Sequence, residues 1–107
     1  MSFVPNADSA FIDPAKLTYL LVTDPGKAKF FALFGFDPTR AEELADTLRW
    51  HIYNRHYDSS YTTVHGTKYV VKCEAPTPSG RRPCILTTWM ADAGRTRPRL
   101  VTAYANP

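Results

Sequence analysis

Hydrophobic positions recur at helical spacing through the first half of the chain and at alternate residues through the second, so the pattern predicts helices followed by strands. Ala41, Leu44, Ala45, Leu48 and Ile52 fall at i, i+3, i+4, i+7 and i+11, one face of a long amphipathic helix. Asp37-Pro38 stands before it and Asp13-Pro14 before an earlier run. In both, a carboxylate can cap free N–H groups, and a proline sits where its missing N–H costs nothing. The first helix is predicted from Pro14 to about Val22, with Leu17, Leu20 and Leu21 inward, and Thr23-Asp24-Pro25-Gly26 ends it. A second run, Lys27 to Phe34, stops at Gly35, suited to a left-handed cap that folds Phe36 back on Phe31. Phe30, Phe31, Leu33, Phe34 and Phe36 read as core, and Met1 to Phe11 as an extended lead-in.

Asp58-Ser59-Ser60 closes the helical part. Four β-rich runs follow, Tyr61–Val64, Thr67–Ala75, Pro83–Ala91 and Pro98–Ala105, with turn signals at His65-Gly66 and at Pro76 to Gly80. The predicted architecture is α+β, N-terminal helices packed on one face of a four-stranded antiparallel sheet. It is expected to be a single domain over residues 1–107, helical over about 13–57 and sheet over about 61–105.

Alternation then sorts the side chains. With an even-numbered loop between the second and third strands, Tyr69, Val71 and Cys73 share a helix-facing side with Cys84, Leu86, Thr88 and Met90. Lys68, Val70, Lys72 and Glu74 then share the open side with Ile85, Thr87 and Trp89. An odd loop, for example one with a bulge at Gly80, breaks this sorting. In the last strand Thr102 and Tyr104 are expected on the open side, with Arg99, Val101 and Ala103 opposite, while the loop before it brings Arg95 and Arg97 to the rim.

Charge sharpens the picture. Residues 1–64 carry six Lys and Arg against eight Asp and Glu, whereas residues 65–107 carry seven against two. A basic half on a small domain points to an anionic partner, nucleic acid first, with a solvated surface as the bland alternative. At 44% hydrophobic and 13% aromatic residues, general disorder is excluded. No apolar run reaches membrane-spanning length and no secretory leader pattern opens the chain, so a soluble protein is expected, without a membrane partner. Cys73 and Cys84 form no recognisable disulfide framework and read as small core residues. His51, His56 and His65 show no metal-ligand spacing, so neither metal nor cofactor is expected. Trp50, Tyr53 and Tyr57 lie off the apolar stripe and could stack bases, meet a partner protein, or pack beneath the sheet edge.

An open sheet face lined by Lys68, Lys72, Thr87, Trp89, Thr102 and Tyr104 and rimmed by Arg95, Arg97 and Arg99 suits a phosphodiester. Cleaving RNA without a metal needs a base for the 2′-hydroxyl, an acid for the leaving oxygen, and cations around the phosphorane. His65 is the natural acid or base, because imidazole titrates near neutrality, though it equally fits an exposed turn residue. Lys68 and Arg99 would hold the phosphate, Thr102 and Tyr104 would orient it, and Lys72, Thr87, Trp89, Arg95 and Arg97 would bind the rest of the substrate. Lys68 and Lys72 could instead only guard a strand against aggregation. Glu74, a second base candidate, also fits an ion pair with Lys72 or Arg82.

Several motifs occur together: P-N-A-D (Pro5 to Asp8), I-D-P-x-K-L (Ile12 to Leu17), G-T-K-Y-V-V (Gly66 to Val71), P-S-G-R (Pro78 to Arg81), T-x-W (Thr87 to Trp89) and P-R-L-V-T-A-Y (Pro98 to Tyr104). In this the chain resembles a family of small bacterial proteins, which in turn resembles toxin-type nucleases of the barnase, EndoU, colicin and RelE group. The resemblance covers nearly the whole chain. It implies helices before a four-stranded antiparallel sheet whose open face cuts RNA, transfer RNA among the candidates, and a cognate antitoxin or immunity protein as partner. It implies action in the cytoplasm of the producing cell or of a target cell. Residue by residue it favours Lys68, Tyr69, Trp89, Arg99, Thr102 and Tyr104, while His65 rests on its own chemistry. Two other readings stand beside it: a non-enzymatic antitoxin or immunity protein that binds through Trp50, Tyr53 and Tyr57, and an RNA-binding module without turnover.

Overall fold

The computed structural model describes residues 2–106 and is an α+β fold. The helices are α1 (Pro14–Thr18), which continues as a π turn over Tyr19–Thr23, α2 (Pro25–Leu33) and α3 (Ala41–Asn54). The strands β1 (Tyr57–Thr63), β2 (Gly66–Glu74), β3 (Cys84–Asp92) and β4 (Arg99–Ala105) form one antiparallel sheet in the order β1-β2-β3-β4.

Each helix start follows from its aspartate. The carboxylate of Asp13 accepts from the Ala15 N–H, Asp24 from Lys27 and Asp37 from Thr39, with a proline in the first turn each time. The Lys27 N–H holds the Asp24 carboxyl, and the Thr39 hydroxyl together with its N–H the Asp37 carboxyl, below the ordinary carboxylate range. Behind Asp37 a short 3-10 turn, Pro38–Arg40, leads into α3. Gly35 takes φ 92° after α2. There the Phe36 N–H donates back to the Phe31 carbonyl at 3.2 Å, and the two rings meet edge to face at 5.8 Å. The stripe Leu44, Ala45, Leu48 and Ile52 is wholly buried against the sheet, with Val71, Ile85, Trp89, Leu100 and Ala103 opposite.

Two corrections concern the sheet. β2 and β3 pair Tyr69 with Trp89, Val71 with Thr87 and Cys73 with Ile85, because the connection from Ala75 to Pro83 holds an odd number of residues. Thr87 and Trp89, expected on the open side, are therefore fully buried under the helices, and Leu86 and Met90, half-buried, turn outward instead, with Thr88 in the same alternation but itself buried. In β4 a bulge opposite Thr88 and Trp89 shifts the alternation, placing buried Leu100 with Ala103 and exposed Arg99 with Thr102 and Tyr104.

The helical part ends at Asn54, and β1 begins at Tyr57. Tyr57 consequently packs its ring on Tyr69 at 5.0 Å, which takes it out of any aromatic line with Trp50 and Tyr53. The cysteines also depart from the expectation: Cys73 and Cys84 are joined in a disulfide, neither sulfur free. Cys73 adopts φ 83°, out of strand alternation, beside Cys84, which pairs with its neighbour Glu74.

Helix and sheet are tied by a buried polar chain. The His51 Nε2 lies 2.8 Å from the Cys73 carbonyl, which can only accept, so Nε2 carries the proton. Nδ1 must then accept from the Thr87 hydroxyl at 2.9 Å, and Thr87 in turn accepts from the Trp89 indole N–H at 2.8 Å. Burial pushes the His51 pKa down from 6.5 to about 4. Because the folded value lies below the unfolded one, the unfolded chain takes up a proton that the native state refuses as the pH falls from 6.5 toward 4. Stability is expected to drop by about 3 kcal/mol across that window and to be complete above it. Urea denaturation at pH 7, 5.5 and 4 checks this, and His51→Gln should be less stable at pH 7 but lose much less on acidification.

Candidate functional site

The uncovered face of the sheet is set by the registers. One cross-strand row reads Tyr61, Lys68, Met90, Arg99, and the next reads Ser59, Val70, Thr88, Thr102. A third joins Lys72, Leu86 and Tyr104. Lys68, Arg99, Thr102 and Tyr104 thus share one face. Lys68 and Arg99 stand two strands apart, roughly 10 Å between backbones, a span that their long side chains can close over Met90.

The candidates do not all gather at one point. Lys72 is four residues from Lys68, roughly 13 Å along the strand, and it pairs with Asp58 at 3.4 Å. Tyr104, in the row of Lys72, has the Lys27 ammonium of α2 at 5.7 Å from its ring centroid. The buried Thr87 and Trp89 have no access to this face. Glu74 pairs with Arg82 at 3.8 Å, while the Arg82 guanidinium also lies over the Trp50 ring at 5.2 Å.

The opposite end of the sheet is denser in charge. The turn between β1 and β2 holds exposed His65, whose carbonyl accepts from the Ala93 N–H at 2.9 Å and so brings the turn beside the loop before β4. That loop carries exposed Arg95 and Arg97. Arg99 is held by Asp92 through two bonds, Nε to Oδ2 at 2.7 Å and Nη2 to Oδ1 at 3.2 Å. Those bonds lower the Asp92 pKa from the usual carboxylate value. Asp92 removes one unit of charge from the cluster but fixes the plane of its central guanidinium. A site combining Lys68, Arg99 and Thr102 with His65 at its edge can hold an anion and exchange a proton beside it. Among the described residues no three His, Cys, Asp or Glu side chains gather to hold a metal ion, and no helix is long and apolar enough to cross a membrane.

Two residues at this end are absent from the sequence-based candidates. Asp92 orients Arg99, and Phe11, bridged in parallel to Arg99, lines the same pocket as Arg95, Arg97 and Arg99. One of only two acids in the basic half, Asp92 was the available signal for an orienting partner. Nothing local marks Phe11, since only the tertiary fold lays the lead-in along β4.

The chain belongs to the family described as Domain of unknown function (DUF6883), which matches residues 3–107. No curated protein matches it. Among solved structures it is similar to a chain of a contact-dependent growth inhibition toxin and immunity protein complex from Klebsiella pneumoniae 342. The TM-score is 0.74 at 17% identity, over 89% of this chain and 98% of that one, a likeness of fold.

Gly66 holds the β1 turn against the end of β3. It is buried at φ 138°, and a Cβ there would collide with the Ala91 carbonyl and come within 2.9 Å of the Asp92 Cα. Gly66→Ala is expected to destabilise the fold by about 2–4 kcal/mol through clash and backbone strain together. Thermal unfolding followed by circular dichroism would show it as a fall in Tm.

Proposed function

We propose that this chain is the ribonuclease toxin of a bacterial toxin system, cutting RNA by transphosphorylation on the open face of its sheet. The observation that carries the reading is that Lys68, Arg99 and Thr102 share that face, with His65, Arg95 and Arg97 at the same end. The likeness in fold to a chain from a toxin and immunity protein complex supports a role in such a system, with an antitoxin or immunity protein as partner. The site of action would be the cytoplasm of the producing or of a target cell, where RNA is the abundant polyanion.

In this reading the 2′-hydroxyl attacks the adjacent phosphorus, the bond to the 5′ oxygen breaks, and a 2′,3′-cyclic phosphate and a 5′-hydroxyl result. His65 takes the proton from the nucleophile or gives one to the leaving oxygen. Lys68 and Arg99 stabilise the charge that builds on the phosphorane, and Asp92 keeps the Arg99 plane fixed so that little reorganisation is needed. Thr102 donates a hydrogen bond to a phosphate oxygen, and Lys72 and Tyr104, farther along the sheet, extend the track for the rest of the RNA backbone.

A second reading, protein binding without turnover, draws on the other side of the molecule. Tyr53 on α3 is 59% exposed and Phe3 49%, and between them runs a groove that also holds Asp8, Asp46 and Trp50. The groove also holds Arg49, paired with Asp46, so it mixes charge with exposed aromatic surface in the manner of a protein-binding surface.

Incubating the protein with total RNA in EDTA separates the two. Cleavage with cyclic-phosphate ends is expected, and Lys68→Ala and Arg99→Ala should each slow it by roughly 100-fold or more. The wild type should arrest growth when expressed, and Lys68→Ala with Thr102→Ala should relieve the arrest. Tight RNA binding without turnover, or cleavage abolished by chelation, would sink the mechanism. A harmless wild type that protects cells from a neighbouring gene's product would establish the protein-binding role instead.

A further inference from the structure

The N-terminal segment closes on the loop before β4 through four hydrogen bonds. Asn6 Nδ2 donates to the Thr96 carbonyl at 3.1 Å, and Arg97 Nε donates to the Ser9 carbonyl. The Phe11 N–H donates to the Pro98 carbonyl at 2.8 Å, and the Leu100 N–H to the Phe11 carbonyl at 2.9 Å. Between them lies an open pocket of about 530 Å³ lined by Phe11, Asp92, Arg95, Arg97 and Arg99. The Arg97 guanidinium carbon sits 5.0 Å from the Phe11 ring centroid. With its Nε held by Ser9 and its carbon over the ring, this guanidinium is held in place.

Three arginines can hold an anion, and the hydrogen bonds show which of their N–H groups are already taken. Arg97 has its Nε committed to Ser9, and Arg99 has its Nε and Nη2 committed to Asp92. Neither can offer the Nε-side fork, which leaves the outer Nη pair of Arg97 and the uncommitted Arg95 to grip a phosphate with two parallel bonds. Arg97 also retains a flat, exposed, preoriented surface, the feature on which nucleobases stack.

We propose that this pocket is a nucleotide subsite in which a nucleobase stacks on the Arg97 and Phe11 pair while its phosphate reaches the remaining N–H groups of Arg99 and Arg95. The proposal rests on the RNA reading and extends it by assigning a base-binding position to the N-terminal segment. The lead-in, through Phe11 and Ser9, then determines that a base rather than a bare phosphate occupies this end of the sheet.

Titrating isotopically labelled protein with adenosine 5′-monophosphate and with ribose 5-phosphate isolates the base, since both carry the same phosphate. The nucleotide should bind about tenfold tighter or more, with shifts in the resonances of Phe11, Arg97 and Arg99. Arg97→Lys, which keeps the charge and removes the plane, and Phe11→Leu, which keeps apolar bulk and removes the ring, should each bring the ratio near one by weakening the nucleotide far more than the ribose phosphate. Both side chains are exposed, and circular dichroism would verify the fold of each variant. Equal affinities for the two ligands, a preference that survives both substitutions, or shifts confined to the Lys72 end of the sheet would overturn the subsite. A base preference without RNA cleavage would refute the nuclease reading alone, because this measurement needs no turnover.

Discussion

The run of hydrogen bonds from Trp89 through Thr87 and His51 to the Cys73 carbonyl fixes which side of β3 faces the helices. Its three side chains, His51, Thr87 and Trp89, are fully buried, where an unpaired polar group costs about 1–3 kcal/mol, so the chain tolerates only the arrangement that satisfies all three. A slip of one residue between β2 and β3 would carry Thr87 and Trp89 to solvent and strand the His51 ring among Leu48, Ile52 and Val71. The polar chain thereby acts as a register pin. Because β2 and β4 both pair with β3, it also determines what the opposite face displays.

What that face displays depends on a second device, the bulge in β4. Strict alternation would group Arg99 with Ala103 on the helix side and expose Leu100. The extra residue at the bulge reverses the order at that point, burying Leu100 and leaving Arg99 beside Thr102 on the open side. One inserted residue therefore builds the basic end of the sheet. It also seats Phe11 alongside Arg99, since the lead-in pairs with the part of β4 that the bulge has re-aimed.

This division explains what could be read in advance. Helix starts at Asp13 and Asp37 and the stop at Gly35 are local events, settled by a carboxylate, a proline or a glycine within a few residues, whereas the same Asp-Pro pair at Asp24 reads as the end of the first helix and in fact opens α2. The stripe Leu44, Ala45, Leu48 and Ile52 is equally legible because a helical period has one solution. The third strand is different. Ile85 to Met90 is apolar or small on both sides, so alternation alone chooses no inward face, and the choice falls to the parity of a long connection and to polar partners distant in sequence. Lys68, Thr102 and Tyr104 were assignable to the open face because each alternates with residues of opposite character. Thr87 and Trp89 were misplaced because their partner, His51, lies 36 residues away from Thr87 on a helix.

The resulting arrangement separates the two sides of the molecule by charge. On the open face Lys72 is paired with Asp58 and Arg99 with Asp92, while Lys68, Arg95 and Arg97 carry no acidic partner among the described residues. On α3 the outward side is acidic, with Arg49 shared between Glu42 and Asp46. A polyanion approaching in salt of a screening length near 8 Å is drawn to the sheet and turned away from the helix. A protein partner that silenced the sheet would have to bring carboxylates of its own, and one that used α3 would have to bring cations. The two surfaces thus differ in the sign of charge that each would attract.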